Sequence, residues 1–165
     1  VKESAPRGRI SGIRLSVNCF VPKPFTPFQW FPMDRISSLK EKQKWLRAAL
    51  RKQGGIKFSS DVAKWAYVQT LLSMGDRRVA TILYRVHMSG GNWSEAMRYS
   101  DINPDFFVYR PRGLDEVLPW DFVDHGISKV HLLREYELAL KGLESEGCRV
   151  GECTRCGVCA EEGAR

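Results

Sequence analysis

Residues 10–20, ISGIRLSVNCF, run straight into residues 21–30, VPKPFTPFQW. The first stretch is rich in branched and aromatic side chains and reads as a buried β-strand. The second places Pro22, Pro24 and Pro27 close together, with Phe25, Phe28 and Trp30 between and after them. Proline fixes φ and lowers the entropy lost when a loop is ordered. In α/β folds, ligands gather on the loops that leave the carboxyl ends of strands. A stiffened, ring-laden loop in that place has two readings. It is a ligand-facing rim, with Lys23 for an anion, Thr26 and Gln29 for hydrogen bonds, and Phe25, Phe28 and Trp30 for stacking or excluding water. Otherwise it is a corner whose rings plug the end of a core.

Downstream the pattern turns helical. Ser38-Leu39-Lys40-Glu41 has the form of a capping box, which predicts a helix carrying Leu39, Leu46, Ala49 and Leu50 and ending at Gly54-Gly55. Ile56 to Phe58 fits a short strand. Ser59-Ser60-Asp61 open a second helix that Gly75 stops, and Asp76 caps a third. After Ser89-Gly90-Gly91, the pair Asn92 and Glu95 caps a short helix through Tyr99. Residues 100–126 are irregular, with a short strand expected at Phe106 to Tyr109. Ser128 caps a last helix to Leu140, and Gly142 ends it.

These elements divide the chain into 1–55 (strand, loop and helix), 56–142 (mainly helical) and 143–165 (a cysteine-rich tail). A lone strand as strong as residues 10–20 cannot satisfy its own backbone groups. It stands near the start of a chain that opens on Val1. Both features lead us to expect a fragment of a longer polypeptide.

The chain has 165 residues, 43% hydrophobic and 27% charged, which suits one domain with a sizeable core. No apolar run approaches the roughly 18 residues of a membrane span, and no signal-peptide pattern opens the chain, so no membrane partner is expected and a cytoplasmic location is the default. Charge is uneven. Residues 1–60 hold 13 Lys or Arg against 3 Asp or Glu, and residues 61–165 hold 13 against 16. Such a basic half attracts nucleic acid, phosphate or another anion, or it is simply the solvated face of a helix. No Gly-rich phosphate loop, Ser-His-Asp pattern or HExxH motif is present. Asp121, Asp124 and His125 fall together after Trp120, a set that lines a cleft or merely faces water.

Cys19 sits alone in the first strand and reads as a small buried hydrophobe. Cys148, Cys153, Cys156 and Cys159 crowd into CRVGECTRCGVC. Two C-x2-C steps sharing a cysteine, with Gly151 and Gly157 permitting tight turns, make a multidentate loop for thiolate-loving metals. The spacing suits an iron–sulfur cluster or zinc. Free thiols on a terminal tail are the remaining alternative.

The run from Ser16 to Trp30 resembles the last barrel strand and following loop of radical S-adenosylmethionine (radical SAM) proteins, in the group whose members often carry an upstream cobalamin-binding domain. Leu72-Ser73-Met74-Gly75-Asp76-Arg77-Arg78, Leu118-Pro119-Trp120-Asp121 with Asp124 and Gly126, Leu133-Arg134-Glu135-Tyr136 and Cys156-Gly157-Val158-Cys159 are similar too. The resemblance implies an α/β fragment. It would hold the last strand of a partial β/α barrel, a mainly helical C-terminal region and the cysteine tail. It also implies an oxidoreductase-type radical enzyme using S-adenosylmethionine and a [4Fe-4S] cluster, and it leaves open whether the parent also uses cobalamin. Lys23, Thr26, Gln29 and Trp30 would then border the cofactor and substrate cavity. The three-cysteine C-x3-C-x2-C motif that holds the catalytic cluster in that family is absent from this chain. Its expected partner is therefore an N-terminal part of the same polypeptide, and the chain alone is expected to be inactive. The rival reading is a basic nucleic-acid-binding module with a zinc-binding four-cysteine tail.

Overall fold

The computed structural model describes residues 12–159. Two strands, β1 (Ile13–Val17) and β2 (Ile56–Ser60), lie parallel, with Ile13 beside Ile56 and Val17 beside Ser60. Parallel neighbours need a crossover. Helix α1 (Ile36–Arg51) supplies it, giving a βαβ unit whose sheet spans residues 13 to 60. Ile36, Leu39, Gln43, Leu46 and Leu50 recur every three or four residues and form the half-buried stripe of α1.

The strands are amphipathic. Leu15, Val17, Ile56 and Phe58 are half-buried, while Arg14, Ser16, Lys57 and Ser59 on the other face are exposed. The expected buried strand over 10–20 is thus a shorter, half-covered one, because no described element covers the second face of the sheet. Residues 10 and 11 lie outside the described residues. Cys19 falls beyond the end of β1 and is half-buried. Its N–H donates to both carboxylate oxygens of Asp61 (3.0 and 3.1 Å). Burial, and then Asp61, push its thiol up to about 11.

Helices α2 (Ala63–Met74), α3 (Val79–Met88), α4 (Trp93–Arg98), α5 (Asp105–Val108) and α6 (Lys129–Leu140) follow. One core cluster joins Met33, Tyr67, Leu71, Ile82, Phe107 and Val108. A second joins Trp30, Met74, Leu118, Trp120 and Leu132. This is an α/β fold with six helices and a two-stranded parallel sheet among the described residues. No helix among them is long and apolar enough to cross a membrane.

Local signals succeed and fail for visible reasons. The Asn92 side chain accepts from Glu95 N–H, and Ser128 Oγ accepts from His131 N–H (both 3.2 Å), so both caps form. Gly75 closes α2 as expected. The capping box at Ser38 does not form. Asp34 lies four residues earlier, takes Ser38 Oγ–H (2.9 Å) and Arg35 N–H (2.8 Å), and the helix starts at Ile36. The helix expected at Ser59-Ser60 is preempted by β2, which continues through Ser60. The strand expected at Phe106 to Tyr109 is helical instead. Asn103 Oδ1 accepts from Asp105 N–H (3.0 Å), and Tyr67 Oη donates to Asp105 (2.6 Å), which fix a helical turn there.

Candidate functional site

The loop leaving β1 folds onto itself. Thr26 Oγ1 donates to the Lys23 carbonyl (2.8 Å), and Gln29 N–H donates to the Thr26 carbonyl (3.0 Å). A 3-10 turn over Pro27–Trp30 follows. Phe25 adopts φ +58, the left-handed region that a bulky residue rarely occupies. Its N–H is held by Gln29 Oε1 (3.2 Å), and its ring lies 4.0 Å from that of His125. Most of the rings in this region meet one another: Phe28 stands edge-on to Phe20 (5.5 Å), Phe31 (6.0 Å) and Tyr136 (6.1 Å).

The four loop residues singled out in the sequence divide into two pairs. Gln29 and Trp30 are each only 1% exposed. Gln29 Oε1 accepts from Trp120 Nε1 (2.7 Å), and Trp30 packs 5.7 Å from Tyr136. Lys23 is exposed and Thr26 half-buried. Lys23 Nζ donates to Ser73 Oγ (2.8 Å). Lys23 and Thr26 therefore reach the surface, and Gln29 and Trp30 form the wall behind it.

Two further segments come up beside this loop. The first is Ser73 to Arg78. Asp76 accepts from Arg78 N–H (2.9 Å) and from Arg78 Nε (3.1 and 3.0 Å). The Arg78 guanidinium holds the Asp76 carboxyl below its usual range. Arg78 also lies 5.0 Å over the Phe107 ring. Arg77 is exposed. The second segment is Val117 to Val123, tied by Leu118 N–H to Asp121 Oδ2 (2.9 Å) and by Lys129 Nζ to the same carboxylate. Phe122 and Val117 are 86% and 84% exposed. The three segments enclose one open cleft of about 810 Å³, lined by Pro24 and Phe25, by Ser73, Gly75 and Asp76 to Arg78, and by Val117 to Trp120, Phe122 and Val123.

Arg112 was missed by sequence reasoning. It is 7% exposed and donates to the carbonyls of Met74 (2.8 Å) and Phe107 (2.9 Å), so it pins the end of α2, directly before the cleft-lining Gly75, to α5. Burial lowers its pKa to about 10, which leaves it charged at neutral pH. One acceptor, the Met74 carbonyl, lies 38 residues away in the chain, and no local pattern marks it.

The tail lies against the start of α6. Ser128 N–H donates to the Cys156 carbonyl (2.8 Å), and a Cβ at Gly157 would lie 3.3 Å from the Gly126 carbonyl oxygen. Gly151 and Gly157 both have positive φ (+86 and +93), which supports the expected tight turns. Arg155 organises the segment. It donates to Glu146 Oε2 (2.9 Å), to the Gly147 carbonyl (3.2 Å) and to Cys153 Sγ (3.2 Å), and this last bond holds the Cys153 thiol below its usual range. Cys148 and Cys153 line a second cleft of about 790 Å³. All four tail cysteines are free thiols. They fit a thiolate-seeking metal by donor type, yet among the described residues no three metal-ligating side chains stand together as a site.

No family model, no curated protein and no solved structure matches this chain.

Proposed function

We propose that this chain is the C-terminal part of a radical SAM enzyme, contributing one rim of the reaction cavity and a four-cysteine tail for an auxiliary iron–sulfur cluster or zinc. One observation carries the reading. Three segments that bear the resemblance, around residues 21–30, 72–78 and 118–124, are far apart in sequence yet line one open cleft. The loop from the carboxyl end of β1 forms part of its wall, which is where α/β folds bind ligands.

The residues then take separate roles. Lys23 and Arg77 offer positive charge to a carboxylate or phosphate of a bound ligand. Phe25 and Phe122 cover apolar surface and keep water away from it. Gln29, Trp30 and Arg112 hold the wall in position. In that family, a [4Fe-4S] cluster supplies the electron that cleaves S-adenosylmethionine. Its ligands would come from an N-terminal part of the same polypeptide.

The test begins with the gene. The frame upstream of Val1 is expected to run into a C-x3-C-x2-C motif. The full product, reduced anaerobically, should form 5′-deoxyadenosine from S-adenosylmethionine, and residues 1–165 alone should form none. A stop codon and true start at Val1, or turnover by this chain alone, would refute the proposal.

A further inference from the structure

Three buried side-chain polar atoms find no hydrogen-bond partner among the described residues: Trp30 Nε1, Arg110 Nε and Arg112 Nη1. All three are donors. The residues that carry them are neighbours, since Arg110 and Arg112 are two positions apart and Arg112 N–H donates to the Trp30 carbonyl (3.1 Å). This corner of the fold is short of acceptors. It is also short of negative charge. Both oxygens of Glu116 are taken by Arg110 (2.8 and 2.7 Å), and one of them also takes Gly113 N–H (3.2 Å). Arg112 forms no ion pair with a described residue. Its Nη2 is spent on two uncharged groups, the Met74 and Phe107 carbonyls. Burial, and then the charge of Arg110, depress the Arg112 pKa, and Glu116 offsets only part of this.

We propose that Arg112 Nη1 and Trp30 Nε1 together hold a small monovalent anion of chloride size inside the wall of the cleft. A buried guanidinium without a counter-charge is unfavourable, and buried donors left unpaired add to the cost. Water would supply an acceptor and leave the charge as it is, whereas an anion supplies both. Trp30 is 1% exposed and Arg112 7%, which restricts the ion to a small one and excludes a phosphate ester or a substrate. The contacts of Arg112 place the site. Its guanidinium lies 5.9 Å over the Trp120 ring and bonds the Met74 carbonyl, and Trp30, Met74 and Trp120 share one core cluster. Trp120 lines the cleft, so the ion stiffens that wall from within. Lys23 and Arg77, the cations offered to a ligand in the cleft, take no part, so failure of this inference would leave the function proposed above standing.

The experiment uses the full chain, labelled with nitrogen-15 and held in sodium gluconate, whose anion is too large to enter. Sodium chloride replaces gluconate at constant ionic strength. The indole N–H signal of Trp30, assigned by its loss in Trp30→Phe, is expected to move along a saturating curve. The signal of Trp45, which is 69% exposed, should not saturate. The unfolding midpoint should rise over the same series, as for any ligand that binds only the folded chain. Trp30→Phe keeps a ring in the core and removes the donor, and should need about tenfold more chloride for the same rise, the effect of one hydrogen bond to a charged group. Arg112→Gln should abolish both responses. Three results would overturn the proposal: a Trp30 signal that stays in place, a shift that grows linearly as that of Trp45 does, or saturation that survives Arg112→Gln. The wild-type titration decides by itself if Arg112→Gln fails to fold.

Discussion

Gln29 and Trp120, 91 residues apart, are joined by a 2.7 Å hydrogen bond in which the indole N–H donates to the amide oxygen. Both side chains are buried. The same oxygen takes the N–H of Phe25. One side chain therefore fixes the backbone of the rim loop and anchors it to the opposite wall of the cleft.

Gln29→Leu should leave two donors, Trp120 Nε1 and Phe25 N–H, without this acceptor. At about 1–3 kcal/mol for each buried donor left unpaired, the chain should lose about 2–6 kcal/mol. Urea unfolding measures it. A change below about 0.5 kcal/mol would mean that the loop is held by its rings alone.

Gly75 stands where the cleft meets α3. A Cβ there would lie 2.3 Å from Val79 Cγ2 and 2.6 Å from the Leu71 carbonyl oxygen. The carbonyl belongs to α2 and has little room to retreat. Gly75→Ala should cost about 1–3 kcal/mol by overpacking, read as a lower unfolding midpoint.

The acid limb of stability should depend on Glu116. Its carboxylate accepts two hydrogen bonds from Arg110 (2.8 and 2.7 Å), and these hold its pKa below the ordinary value of 4.5. The folded chain gives up this proton more readily than the unfolded chain. The stabilisation is complete above the unfolded pKa and disappears as pH falls through the folded one. Glu116→Gln should lower stability at pH 7 and flatten its dependence between about pH 5 and pH 3. Thermal melts across that window give the answer, and curves that stay parallel would remove Glu116 from the account.

The tail should hold metal when the thiols are kept reduced. Anaerobic purification followed by iron and zinc analysis is expected to find one or the other. Cys153→Ser and Cys156→Ser should each lose most of it, since structural thiolate sites need their full ligand set. Wild-type protein with neither metal would end the claim.

What the sequence could tell depended on how far each signal had to reach. Asn92 with Glu95, and Ser128 with His131, complete their bonds within three residues, so their patterns are readable in place. Ser38 looked equally good, but Asp34 competed for its hydroxyl from one turn earlier. Phe106 to Tyr109 has the composition of a strand. Its conformation is set by Tyr67, 38 residues before Asp105, a contact no local window contains. The site behaves the same way. Lys23 and Thr26 were legible as surface groups of a loop, whereas the burial of Gln29 and Trp30 depends on Trp120 and Tyr136 far down the chain.

The bond between Ser128 N–H and the Cys156 carbonyl makes the tail part of a helix's first turn. Ser128 is also the residue whose hydroxyl caps α6, and α6 presses Leu132 into the core beside Trp30. Whatever draws the cysteines together must pull on that amide. Its rate of hydrogen exchange is thus a gauge of tail closure readable without any chromophore at the thiols, and one that reports equally on iron, zinc or bare protein.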